Sequence, residues 1–251
     1  MPIVIDEKKK IIWIAPPKNA CSTIRLLVGK NNFKDIVYKD DNTIYDYKFE
    51  SLIEEYLKDK QKLKQMRIIF IFRDPVERFY SFLNNVLYSR VNIKNPDNYK
   101  HILNSFWEKY INLFEIEFGK NICIDTNILE IIKFQNILKT KYELDRSIDS
   151  HGFPQYFFMN NFLELFGNTQ KQYIEIIDIN NLDIILTNLY DQSFKKNISK
   201  DYECINDKKK KLEDLTLKDI VHNKDYNNKE LNELISKLYE DDYTLLHHNF
   251  T

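Results

Sequence analysis

Short apolar runs and helix-like apolar faces alternate along the chain. Ile11 to Ala15, preceded by Lys8, Lys9 and Lys10 and closed by Pro16-Pro17, has the length and β-branched content of a buried central strand. The segment after it, Ala20 to Lys30, sets Ile24, Leu26, Leu27 and Val28 on one face and has Ser22 and Thr23 in its first turn, which predicts a helix. Phe49 to Met66 spaces Leu52, Ile53, Tyr56, Leu57 and Leu63 between charges, an amphipathic helix pattern. Ile68 to Phe72 is a second apolar run and predicts a second buried strand. Asp74-Pro75 ends it and opens a helix, since proline suits a first helical position, and the helical period continues from Val76 to Arg90.

Tyr99 to Lys139 predicts two helices, with Phe106, Trp107, Tyr110, Leu113 and Phe114 on the apolar side of the first. Tyr173 to Asp178 predicts another strand, followed by helices over Asn181 to Leu189 and Lys229 to Leu246. Strand, helix, strand, helix order implies crossover connections, so the expectation is an α/β fold with a central parallel sheet flanked by helices. Asp40 to Tyr47 and Asn92 to Asn98 are the expected surface loops, and polar, lysine-rich Asn197 to Lys211 is the expected mobile one. No repeat or low-complexity linker divides the chain, which is expected to form a single domain over 1–251.

Composition narrows the classes of partner. With 37 Lys and Arg against 38 Asp and Glu, there is no global field to hold nucleic acid or an anionic membrane, so any anion site must be local. Three cysteines, Cys21, Cys123 and Cys204, without CxxC spacing argue against a disulfide framework or a structural zinc site and point to a reducing, cytoplasmic compartment. No apolar run approaches the length of a spanning helix, and the first is too short for a signal peptide. The four glycines form neither GxGxxG nor GxxxxGK[ST].

Three short stretches carry chemistry. Pro17-Lys18-Asn19-Ala20-Cys21-Ser22-Thr23 puts a lysine on a strand-to-helix turn, where unpaired N–H groups and the helix dipole attract an anion; Ser22 and Thr23 add hydroxyl donors and Ala20 is small. Taken alone, it also reads as a surface lysine before a helix cap. Arg73 stands at the end of the second strand in Phe72-Arg73-Asp74-Pro75-Val76-Glu77-Arg78-Phe79-Tyr80-Ser81, and a helix from Pro75 returns Ser81 towards the same rim; a guanidinium with a hydroxyl is a phosphate clamp. The plainer alternative is a strand-end ion pair of Arg73 with Asp74. In Asp149-Ser150-His151-Gly152-Phe153-Pro154-Gln155, His151 is the one of five histidines expected in a turn between elements, and imidazole titrates in the range a general base needs.

These stretches, in this order, resemble the signatures of the sulfotransferases that use 3′-phosphoadenosine 5′-phosphosulfate (PAPS), and most closely the carbohydrate sulfotransferases of the chondroitin/HNK-1 and heparan 2-O types. Pro17-Lys18-Asn19-Ala20-Cys21-Ser22 is similar to the Pro-Lys-x-Ala-Cys-Thr loop, and Arg73-Asp74-Pro75 with Arg78 and Ser81 to the second signature. The resemblance implies a P-loop-like three-layer fold in which Lys18, Asn19, Ala20, Cys21, Ser22 and Thr23 hold the 5′-phosphosulfate, and Arg73 and Ser81 the 3′-phosphate. It further implies Lys18 as the group that stabilises the departing phosphate oxygen, His151 as base with Asp149 orienting it, and no metal. Glu50, Glu54 and Glu55 remain alternative bases, because other branches use a glutamate. The acceptor it implies is a hydroxyl, on a carbohydrate, and PAP (3′,5′-ADP) is the product. Leu238-Tyr239-Glu240-Asp241-Asp242-Tyr243 is similar to the family's Tyr-x-x-Asp ending, for which packing is the expected role. Lys195, Lys196 and Lys200 could close over the nucleotide or form a solvated loop. The competing readings are a P-loop-like kinase, which the missing glycines and the missing Lys-[Ser/Thr] pair oppose, and a non-catalytic glycan-binding module.

Overall fold

The short turn after Ile3–Asp6 forces the first strand to run back along the second. This strand, β1, pairs antiparallel with β2 (Ile11–Ile14), Val4 opposite Trp13. A turn this short can join only antiparallel neighbours. It closes with Lys10 at φ 55° and with the Asp6 carboxylate accepting the Lys9 N–H at 3.0 Å. The fold is seen in a computed structural model that describes residues 3–32, 51–91, 105–167, 174–190, 211–221 and 228–247. The loops expected over Asp40–Tyr47 and Asn92–Asn98 lie outside the described residues, as do Lys195, Lys196, Lys200, the Asn197 to Lys211 loop except its last residue, Glu50, His101, His222 and His248.

The chain forms two compact units: Met1–Arg73 with Gln155–Lys196 and Asp241–Thr251, and Asp74–Pro154 with Asn197–Glu240. The first holds a four-stranded sheet in the order β1-β2-β3-β4, where β3 is Arg67–Phe72 and β4 is Ile174–Asp178. β2 with β3 and β3 with β4 are parallel, Ile12 facing Ile68 and Phe70 facing Ile176. The expected parallel sheet is therefore corrected at its edge by antiparallel β1, which the apolar block pattern does not assign.

Strand side chains alternate between the faces. Ile12, Ile14, Ile68, Phe70 and Phe72 pack with Ile53 and Tyr56 of a helix over 51–58 (α2), Leu63 of α3 (Lys60–Lys64), and Met159, Phe162, Leu163 and Phe166 of a helix over Gln155–Phe166. Ile11, Trp13, Ile69 and Ile71 pack on the other face with Ile24 and Val28 of α1 (Cys21–Asn32) and with Leu182 and Leu186 of a helix over Leu182–Tyr190. Helices thus cover both faces. The single helix expected over Phe49 to Met66 is broken at Asp59, whose carboxylate caps α3 by accepting from Gln61 N and Lys62 N; an aspartate at such a break takes donors that the next turn leaves unpaired.

In the second unit, Asp74 caps α4 (Pro75–Phe82), its Oδ1 accepting from Val76 N and Glu77 N, each at 3.0 Å. The helix continues through a π-turn over Leu83–Leu87 into α5 (Tyr88–Val91), and α6 (Ser105–Phe118) and α7 (Ile128–Thr140) follow. Trp107 stacks on Tyr110 at 4.9 Å, and Phe134 meets Tyr110 and Phe114 edge-on at 5.0 and 5.1 Å. Phe106, expected on this apolar side, is 45% exposed, being one residue round the helix from Trp107. In chain order the remaining helices are α8 (Gln155–Phe166), α9 (Leu182–Tyr190), α10 (Leu217–Val221), α11 (Lys229–Leu238) and α12 (Glu240–His247). The last two replace the single C-terminal helix expected, since Tyr239 departs from helical backbone with ψ 27°. Among the described residues, no helix is long and apolar enough to cross a membrane.

Candidate functional site

Because β2 and β3 are parallel neighbours, the chain leaves both at the same edge of the sheet, and the turn after β2 lies beside Arg73. The contact is direct: Arg73 Nη1 donates to the Lys18 carbonyl oxygen at 3.1 Å. Within that turn Lys18 has φ 71° and Ala20 has φ 61°, while Asn19 between them is not in the positive-φ region. Left-handed backbone at a non-glycine residue costs about 1–2 kcal/mol. Alternation of φ sign over successive residues is the form of an anion-binding nest, with the Asn19 N–H taken by the Pro16 carbonyl at 2.9 Å. α1 begins at the next residue and has no acidic residue in its first turn, so nothing there offsets the positive end of its dipole. Cys21 and Thr23 are half-buried and Ser22 is exposed, with Cys21 Sγ 4.0 Å from Ser22 Oγ. Together these residues can take a polyanion at the sheet edge.

Asn19 serves this turn from inside. It is fully buried, and its Nδ2 donates to the Ile71 carbonyl at 2.7 Å and to Gln155 Oε1 at 2.5 Å. Its backbone N–H is also committed, donating to the Pro16 carbonyl at 2.9 Å, so Asn19, expected from the sequence to bind the nucleotide, instead supports the turn from inside. Gln155 and Asp242 are the polar residues that sequence reasoning gave no part in this cluster: both are fully buried, and Asp242 Oδ1 accepts from Tyr156 N at 2.9 Å. The ending that contains Asp242, expected to pack, thus also caps α8. Glu54 and Glu55, the alternative bases, are exposed on α2, with Glu55 paired to Lys62.

The second unit holds a separate polar cluster around His151. Its Nδ1 lies 2.9 Å from Asp149 Oδ1, which also accepts the His151 N–H at 3.1 Å. Arg90 pairs with the other carboxylate oxygen and lies 4.8 Å from the centre of the Trp107 ring. Burial pushes the Asp149 carboxyl up, but the His151 hydrogen bond, the His151 charge and Arg90 outweigh it and bring the group down to about 2. With the carboxylate ionised, the proton in the bond sits on Nδ1, so a neutral His151 presents its lone pair at Nε2. The ring is 35% exposed.

The turn around His151 is held on several sides within this unit. Arg78 is 2% exposed and donates from Nη2 to the His151 carbonyl at 3.2 Å; Tyr239 OH donates to the Gly152 carbonyl at 2.7 Å. A Cβ on Gly152 would stand 2.7 Å from Gln135 Oε1, and Gln135 is itself buried and bonded to Tyr110 OH, so only glycine fits. Ser81, on α4, accepts from Asn85 Nδ2 at 3.3 Å. The structure thus gathers the predicted site residues into two groups. Lys18 to Thr23 and Arg73 belong to the first unit, and Ser81 and His151 to the second. No protein-family model matches this chain, and no curated protein or solved structure matches it.

Ala20→Gly relieves a left-handed alanine while adding freedom to the unfolded chain, so stability is expected to stay level or rise by up to about 1 kcal/mol. A loss above about 1 kcal/mol in urea unfolding would contradict the turn geometry. Asp149 supplies a second expected outcome. Its folded pKa lies below the ordinary aspartate value, so its contribution is complete above about pH 4 and is lost as pH falls through about 2. Asp149→Asn should therefore cost about 2 kcal/mol or more near pH 7, and the gap to wild type should narrow towards about pH 2. Unfolding midpoints at both pH values read this directly; a gap independent of pH would show an unperturbed carboxyl.

Proposed function

We propose that this chain is a PAPS-dependent sulfotransferase with a P-loop-like three-layer α/β fold, moving a sulfuryl group to a hydroxyl of an acceptor of the carbohydrate class. The observation that carries the reading is the strand-edge pairing of Arg73 with the Lys18 turn, where a guanidinium meets the lysine-bearing turn that leads into the N-terminus of α1. A nucleotide with phosphates at both its 3′ and 5′ positions asks for two such cationic groups.

In this reading the N–H groups at the start of α1 and the hydroxyls of Ser22 and Thr23 bind the 5′-phosphosulfate, with Asn19 supporting the turn from inside. Arg73 binds the 3′-phosphate, with Ser81 assigned to it by the sequence signature. His151 Nε2 takes the acceptor's proton as the acceptor oxygen bonds to sulfur. The electron pair of the breaking S–O bond goes to the 5′-phosphate oxygen, where Lys18 meets the charge, and PAP is released. Positioning and electrostatics supply the acceleration.

Calorimetry with 3′,5′-ADP should show binding to wild type without Mg²⁺ in preference to ATP with Mg²⁺, and Arg73→Ala should weaken it about tenfold or more. Equal affinity in the variant would remove Arg73 from the site. With ³⁵S-labelled PAPS and a panel of glycans, lipids and small alcohols, His151→Ala should lower kcat by about 10²- to 10⁴-fold with 3′,5′-ADP binding retained. Near wild-type turnover would move the base elsewhere.

A further inference from the structure

We propose that Gln155 is a positioning residue that locks the Lys18–Ala20 turn and the end of β3 to each other, an inference that rests on the sulfotransferase reading for its consequence in nucleotide binding. The side chain is fully buried at the start of α8. Its Oε1 accepts from Asn19 Nδ2 at 2.5 Å and from Arg73 N at 3.0 Å. Its Nε2 donates to the Arg73 carbonyl at 2.7 Å and to Asp242 Oδ2 at 3.4 Å. Two acceptor positions and two donors are all an amide offers, and all are engaged.

The bonds to Arg73 N and O are those a neighbouring strand would make. Gln155 thus holds Arg73 one residue beyond Phe72, which is the last residue of β3 paired with β4, at Asp178. The amide can sit only one way round. Reversed, its oxygen would face the Asp242 carboxylate and its NH₂ the Arg73 N–H. The contacts also close a ring: Gln155 grips Asn19, the residue after Lys18, and the Arg73 backbone, while the Arg73 guanidinium returns to the Lys18 carbonyl. Neither turn can shift without breaking a buried hydrogen bond, and an orphaned buried polar group is costly.

Two variants test this. Gln155→Leu fills the space but makes none of the four bonds. It should lose about tenfold or more in affinity for 3′,5′-ADP, with amide-exchange protection falling at Asn19 and Arg73 together. Gln155→Glu keeps the acceptors but sets a second oxygen against the Arg73 carbonyl and Asp242, and only protonation returns a donor. The charged groups on the elements meeting it are Arg73, Asp242 and, on the β2–α1 turn, Lys18. Burial and Asp242 favour the protonated form, so its affinity relative to wild type should recover between about pH 8 and about pH 6. A space-filling role would give a ratio independent of pH. Wild-type affinity and unchanged exchange in a folded Gln155→Leu variant would overturn the proposal, and so would a flat pH ratio for Gln155→Glu. A wild type that binds no 3′,5′-ADP would overturn the sulfotransferase reading instead, and the exchange at Asn19 and Arg73 would still decide whether Gln155 joins the turns.

Discussion

Parallel pairing of Ile11–Ile14 with Arg67–Phe72 is the constraint on which the first unit's chemistry depends, because parallel neighbours deliver their C-terminal ends to one edge of a sheet. Lys18 and Arg73 lie 55 positions apart and would otherwise have no reason to meet, and their like charges would favour separation. The sheet removes that freedom. β2 and β3 pack a different helix layer on each face, so sliding the register by one residue would move Trp13, Ile69 and Ile71 to the wrong side.

What the sheet edge leaves open, buried amides settle. Asn19 and Gln155 carry no charge, so they can enter the interior at the cost of hydrogen bonds alone; Gln155 makes all of its bonds and Asn19 those of its NH₂, while Asn19 Oδ1 is buried without a partner among the described residues. A lysine or arginine in the same places would bring a desolvation penalty of several kcal/mol. The division of labour follows from this: uncharged polar residues shape the turn from within, and the cationic side chains beside it remain at least partly in solvent.

The sequence announces those features that rest on local order. Ile11–Ile14 and Arg67–Phe72 stand out as apolar runs, and Asp74-Pro75 as a helix opening, because neighbouring residues decide each. Helix α8 was not legible in the same way: QYFFMNNFLELF holds one charge, and a helix buried round much of its circumference loses the polar stripe that marks its period. β1 escaped notice because its four residues are followed at once by charged ones. Gln155 reaches Asn19 across 136 positions and Asp242 across 87, and no local periodicity records such pairings. The Asp59 break was readable in principle, as an aspartate placed to cap the turn after it.

The cluster of the second unit obeys a different economy. A carboxylate 4% exposed and flanked by Arg90 gains little net stability over an apolar group of similar size, since desolvation offsets much of the attraction. Stability is therefore a poor explanation for placing Asp149, Arg90 and His151 together. What the arrangement does achieve is orientation: Arg90 anchors one carboxylate oxygen, the other fixes Nδ1, and Arg78 and Tyr239 hold the two carbonyls that follow the ring's attachment. A partly exposed imidazole with Nδ1 committed keeps its lone pair on Nε2, the nitrogen to which the sulfotransferase proposal gives the role of base. The burial of Asp149 between two cationic partners is thus better accounted for by a fixed tautomer than by the strength of any ion pair.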